Sequence, residues 1–136
     1  MPNDERNLET LPDGALGLIP LESCKELGLK VDKYLVGWRE KRQHQHASDL
    51  AFKDYRRDSY IISTAVPRFG TGEAKGVIKE SVRGYDLYLM VDVTNYSLTY
   101  SVCGHENHMS PDDHYADLKR IIAAAVSYTH LRAHET

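Results

Sequence analysis

The stretch Arg68–Val93, RFGTGEAKGVIKESVRGYDLYLMVDV, decides how the chain folds. It holds two strand-like runs, Lys75–Ile78 and Leu87–Val93, joined through Glu80–Asp86. In the second run Leu87, Leu89, Val91 and Val93 alternate with Tyr88, Met90 and Asp92, so nearly every position can be buried. Such a run predicts a strand covered on both faces by helices. Gly70, Gly72, Gly76 and Gly84 stand where turns would leave or enter these strands. Glycine there permits positive φ and close approach of a ligand to the backbone. A third run, Tyr60–Val66, precedes the stretch and stops at Pro67.

On the C-terminal side, Thr94–Met109 is rich in Thr, Ser, Tyr, Gly and Asn and reads as a long loop. Ser110-Pro111-Asp112-Asp113 then starts a helix, with Ser as N-cap, Pro at the first position and acids in the first turn. Tyr115, Leu118, Ile122 and Ala125 form its apolar stripe, with Ile121 beside it. On the N-terminal side, Pro12-Asp13-Gly14 is a turn signal and Pro20–Leu27 a short helix stopped by Gly28. A second helix follows, with Val31, Tyr34, Leu35 and Trp38 at core spacing and Trp38 as an anchor. Phe52 and Tyr55 are further packing residues. Strand, loop and helix in this order begin a βα unit, so the expected class is α/β, a mostly parallel sheet flanked by helices.

The chain has 136 residues, enough for one modest domain. Seventeen Lys and Arg against twenty Asp and Glu give a net charge of −3, so no basic footprint argues for nucleic acid or for a membrane surface. The polar start MPNDERNLET is unlike a signal peptide, and no apolar run reaches the length of a membrane span. Cys24 and Cys103 stand alone and read as reduced thiols, so a cytoplasmic location is expected.

RFGTGE followed by ESVRGYD and a hydrophobic strand resembles the N-terminal half of the ribose-phosphate diphosphokinases (phosphoribosyl pyrophosphate synthetases). That family reads Arg-Phe-Ser-Asp-Gly-Glu, a strand, then Glu-Ser-Val-Arg-Gly-x-Asp. The match covers most of Tyr60–Ala124 in order and spacing, and Glu80–Asp86 is its most specific part. The resemblance implies an incomplete phosphoribosyltransferase-like domain over residues 1–125. It also implies transfer of the diphosphoryl group of ATP, with Mg²⁺, to the 1-hydroxyl of ribose 5-phosphate. ATP and ribose 5-phosphate would then be the ligands and the parent enzyme a homo-oligomer. By the same resemblance Phe69 lies against adenine and Glu73 contacts the purine edge, across a subunit interface. Thr71 stands where the family has Asp. Ser81 and Arg83 match positions that bind a regulatory phosphate. The family's cationic and sugar-phosphate loops fall downstream, so no catalytic residue is expected in this chain and no activity from it alone.

Two other functions compete with this one. A non-catalytic regulatory homologue, binding nucleotide or the enzyme, is favoured by Thr71 and by the long segment Val31–Asp58. A His-based metal hydrolase would need ligands from His44, His46 and Asp49 or from His105, Glu106, His108 and His114, but neither set has complete metal-motif spacing. No metal site is therefore expected. The closing residues Val126–Thr136, VSYTHLRAHET, resemble an in-frame translation of a transposon-end sequencing adapter, so they are expected to be a non-native tail.

Overall fold

The computed structural model describes residues 14–45 and 57–128. His46, Asp49, Phe52 and Tyr55, together with 1–13 and 129–136, lie outside the described residues, and so do the readings that fall on them. The described residues form a mixed α/β fold of two α-helices and small sheets.

Its first strand, β1 (Ala15–Pro20), is an element that the sequence reading missed. ALGLIP is too short, and too close to Pro12-Asp13-Gly14, to show a period of its own. β1 pairs in parallel with β4 (Tyr85–Met90), from Ala15 opposite Tyr85 to Pro20 opposite Met90. On its other edge Leu18 forms a parallel bridge to Ile61: Leu18 N–H donates to the Tyr60 carbonyl and Ile62 N–H to the Leu18 carbonyl, both at 2.8 Å. β1 is thus central, with β4 on one edge and the later segment bridged at Ile61 on the other.

A single helix, α1 (Lys25–Gln45), entered through a 3₁₀ turn at Glu22–Cys24, replaces the two helices expected there. Gly28 does not end it. A Cβ on Gly28 would stand 2.4 Å from Pro20 Cβ, so the glycine marks where α1 crosses β1 at close range. The buried face of α1 follows from that crossing and carries Gly28 and Asp32, whereas Trp38 and Tyr34 stay exposed, Trp38 at 59%. Trp38 is therefore no core anchor. Instead the carboxylate of Asp32 accepts Tyr60 N–H and the Ser59 hydroxyl, each at 2.7 Å, and fastens the returning chain beside β1.

The remaining pairs are antiparallel. β2 (Thr64–Ala65) pairs with β3 (Val77–Ile78), and an Arg68–Ala74 bridge extends this hairpin toward its tip. β5 (Thr99–Val102) pairs with β6 (His105–His108), so the region read as a long loop is a second hairpin. Its two-residue turn, Cys103-Gly104, has positive φ at both positions, 49° and 82°, as the strand twist of a tight hairpin demands. Among the described residues, parallel pairing is confined to β1, β4 and the Ile61 bridge.

α2 (Pro111–Tyr128) begins as its sequence predicts: Asp113 N–H donates to the Ser110 hydroxyl at 3.2 Å, and Ser110 N–H to the Asp113 carboxylate at 2.9 Å. Its buried stripe is rotated from the expected one. His114, Asp117, Ile121 and Ala125 are buried while Tyr115 and Ile122 are exposed. Ile121 and Ala125 join Ile19, Leu21, Ile62, Ile78 and Val82 in one core, with Tyr85, Leu87 and Leu89 packed on it. Asp86 and Tyr88 on the other face of β4 are exposed, so that strand is covered on one side, not on both. α2 also continues past Ala125 without a break. No helix among the described residues is long and apolar enough to cross a membrane.

Candidate functional site

A cleft of about 910 Å³ opens at the carboxyl ends of the parallel strands. Residues leaving β1 (Pro20–Ser23) and residues after the Ile61 bridge (Ile62–Val66) form its floor. β1 pairs with β4 on one edge and carries the single Ile61 bridge on the other, and in open α/β sheets ligands bind outside the carboxyl ends of the strands. The volume lies within the range of small-molecule sites.

Hydrogen bonds across the strand ends fix the floor. The Ser23 hydroxyl accepts Asp92 N–H at 3.0 Å, and Asn95 Nδ2 donates to the Ser23 carbonyl at 3.0 Å. Asn95 passes the connection on, because its carbonyl accepts Nε2–H of His114 at 2.6 Å. His114 is 2% exposed. It is an internal link between α2 and the loop after β4, and its bond is to backbone, apart from the exposed His105, Glu106 and His108 of β6. His108 donates from Nδ1 to the Tyr96 carbonyl at 2.8 Å and stacks on the Tyr96 ring. Asp92 is held below the usual carboxylate range by the Thr94 hydroxyl and backbone N–H. Burial, and then the charge of Asp92, pushes the Cys24 thiol up.

The two hairpins form the walls. At the tip of β2–β3, Gly72 N–H donates to the Phe69 carbonyl at 2.8 Å and Phe69 N–H to the Glu73 carbonyl at 2.7 Å. Gly72 has φ of 88°, the left-handed residue that closes such a turn. The tip of β5–β6 lies against it: Cys103 N–H donates to the Gly70 carbonyl at 2.9 Å. A Cβ on Gly72 would meet Val102 at 2.9 Å, so glycine is required for contact as well as for φ.

The expected site residues divide between two places. Phe69 and Gly70 line the cleft, and Phe69 is 50% exposed. Thr71 and Glu73, in the same turn, are exposed and outside the cleft lining. Ser81 and Arg83 are exposed in the connection to β4. Arg83 precedes Gly84, whose carbonyl sits against Gly14 at the amino end of β1, so Arg83 belongs to the end of the sheet opposite the cleft. Glu80, in the same motif, gives its carboxylate to Ser63 N–H at 3.1 Å.

The cleft also has polar residues that sequence reasoning passed over. Arg68 and Asp117 are paired within it, and Tyr100, Lys25 and Lys79 face it. Asp117 had one available signal, a carboxylate on the apolar side of α2 one turn from Ile121. Among the described residues no group of three His, Cys, Asp or Glu side chains is placed to share a metal ion. Comparison of the chain with protein-family models, with curated proteins and with solved structures finds no match.

Proposed function

We propose that the chain is the N-terminal part of a ribose-phosphate diphosphokinase and that its cleft receives the purine end of ATP. One observation carries the proposal. The RFGTGE segment, on which the resemblance rests, forms the hairpin tip that puts Phe69 on the lip of a cleft at the carboxyl ends of parallel strands. Phe69 offers a flat apolar face to a base. Mg²⁺ would arrive on the triphosphate, since this ion keeps much of its water and binds largely through substrate phosphates. Asp117, the buried carboxylate of the cleft, is already shared between Arg68 and Arg120. Moving a diphosphoryl group needs cations around its oxygens and a cradle for the sugar phosphate. The family's loops for both fall outside this sequence, so the 136-residue chain should bind nucleotide without forming phosphoribosyl pyrophosphate.

The test is a calorimetric titration of the chain with MgATP, with and without Phe69→Ala. Loss of the aromatic face should weaken binding roughly tenfold, within the range of base–aromatic stacking. ATP should also slow alkylation of Cys103, which lines the same lip. Equal affinity in the variant, or no protection of Cys103, would remove the nucleotide from this cleft.

A regulatory, non-catalytic homologue is favoured by one placement: Thr71, lacking the family's charge, lies outside the cleft lining together with Glu73. Binding of ATP, ADP and AMP with equal affinity would support that function over the transferase.

A further inference from the structure

Phe69 is held in place by a clamp that lies outside the RFGTGE side chains known from the sequence pattern, apart from Arg68 itself. Nη2 of Arg68 donates to both carboxylate oxygens of Asp117 on α2, at 3.1 and 2.9 Å. Nη1 of Arg68 donates to the Gly72 carbonyl at 2.8 Å. The guanidinium also lies 4.4 Å from the ring centroid of Tyr100 on β5. One side chain therefore joins α2, β5 and both ends of the Phe69–Gly72 turn, since Arg68 precedes the turn and bonds its last residue. Phe69 is the one large side chain in that turn.

The geometry favours rigidity. With Nη2 shared between the two Asp117 oxygens and Nη1 on the Gly72 carbonyl, the guanidinium is fixed by charge-assisted bonds on two of its edges. An aromatic face beneath the guanidinium restricts it further. Asp117 is 7% exposed, and its second partner, Arg120 Nη1 at 2.6 Å, completes its solvation inside the fold. A half-exposed aromatic ring on such a fixed backbone base has fewer conformations to lose, and ordering beforehand lowers the entropy lost on binding.

We propose that Asp117 is the positioning residue of this cleft: by locking Arg68 it presents Phe69 as a fixed face for the ring of a purine nucleotide. The proposal rests on the nucleotide function given above. Asp117 itself need not touch the ligand. It acts through Arg68, and the β5–β6 hairpin closes on the result through the Cys103–Gly70 hydrogen bond.

The experiment compares the whole chain with Asp117→Asn, Asp117→Glu and Arg68→Lys, below the melting temperature of each. Two quantities are read: MgATP affinity, and the rate at which iodoacetamide labels Cys103 without nucleotide, located by mass spectrometry to separate it from Cys24. Asp117→Asn should weaken ATP roughly tenfold, as loss of a preorganised contact does. It should also speed labelling of Cys103 about threefold by freeing the turn from the hairpin. Asp117→Glu should recover part of both, while Arg68→Lys, with its single-point charge, should resemble Asp117→Asn. A folded Asp117→Asn protein with either quantity unchanged overturns the proposal. If the parent chain binds no ATP, the nucleotide function fails, and the labelling rates still decide whether the clamp exists. Should Asp117→Asn not fold, Tyr100→Leu removes the third support from an accessible hairpin and is judged by the same two readings.

Discussion

Gly28 shows how one residue can be read correctly as special and wrongly as to why. Glycine after an apolar helical turn is the ordinary stop signal, yet here it lies inside α1, where Pro20 leaves no room for a side chain. Sequence spacing cannot reveal a neighbour that comes from another element. The consequence is a test with opposed terms. Alanine at a helix interior should gain about 1 kcal/mol over glycine by propensity. Overpacking against Pro20 should cost about 1–3 kcal/mol and outweigh it. Gly28→Ala should thus lower the urea midpoint without changing the slope. A higher midpoint would mean that the α1–β1 crossing yields easily. Asp32 and Asp117 illustrate the same limit at buried polar positions. The partners that hold them lie 28 and 49 residues away, beyond the reach of local spacing.

Among the elements, legibility follows how local the governing interactions are. The start of α2 was plain because Ser110 and Asp113 cap one another across three residues. β4 was legible in part because its alternation is its own, although the strand runs from Tyr85 to Met90 where Leu87–Val93 was expected. β1 and the β5–β6 hairpin were not: the first is defined by strands that arrive much later, the second by a Cys103-Gly104 turn with none of the usual turn asparagine. The capping of α2 supplies a prediction of its own. Burial alone would raise the Asp113 carboxyl, but hydrogen bonds from Ser110 N–H and hydroxyl, with Tyr100 and Arg68 assisting, hold it below the usual range. A carboxyl lowered in the fold stabilises it above its ordinary pKa, and that contribution is lost as pH falls through the folded value. Ser110→Ala should cost about 1 kcal/mol at neutral pH. The gap between the two proteins should narrow below about pH 4, measured as urea midpoints across that interval. A gap independent of pH would assign the cap to the hydroxyl alone.

For the molecule as a whole, the alkaline side draws on other groups, the raised Cys24 thiol and a buried phenol. Tyr60 is buried next to β1, and burial raises its phenol, with the charge of Asp32 adding to this and Arg39 and Arg57 opposing it. A phenol raised in the fold gives stability that is complete below its unfolded pKa and is lost as pH climbs through the folded one. Unfolding by urea should therefore become easier above about pH 10, and Tyr60→Phe should flatten that decline. An equally steep decline in the variant would place the alkaline weakness in Cys24 or in other tyrosines.

The central place of β1 has a last consequence, one of timing. Ala15 is among the first described residues and its partner is Tyr85. On a ribosome, α1 can coil as soon as it emerges, since its bonds are local, but β1 has no partner for its β4 edge until Tyr85–Met90 has been made. Distant pairings of this kind raise contact order and slow folding. The nascent protein thus passes through a long interval with a helix formed and its central strand still waiting. Hydrogen exchange pulsed during refolding should show α1 protected before Leu18 and Ile19.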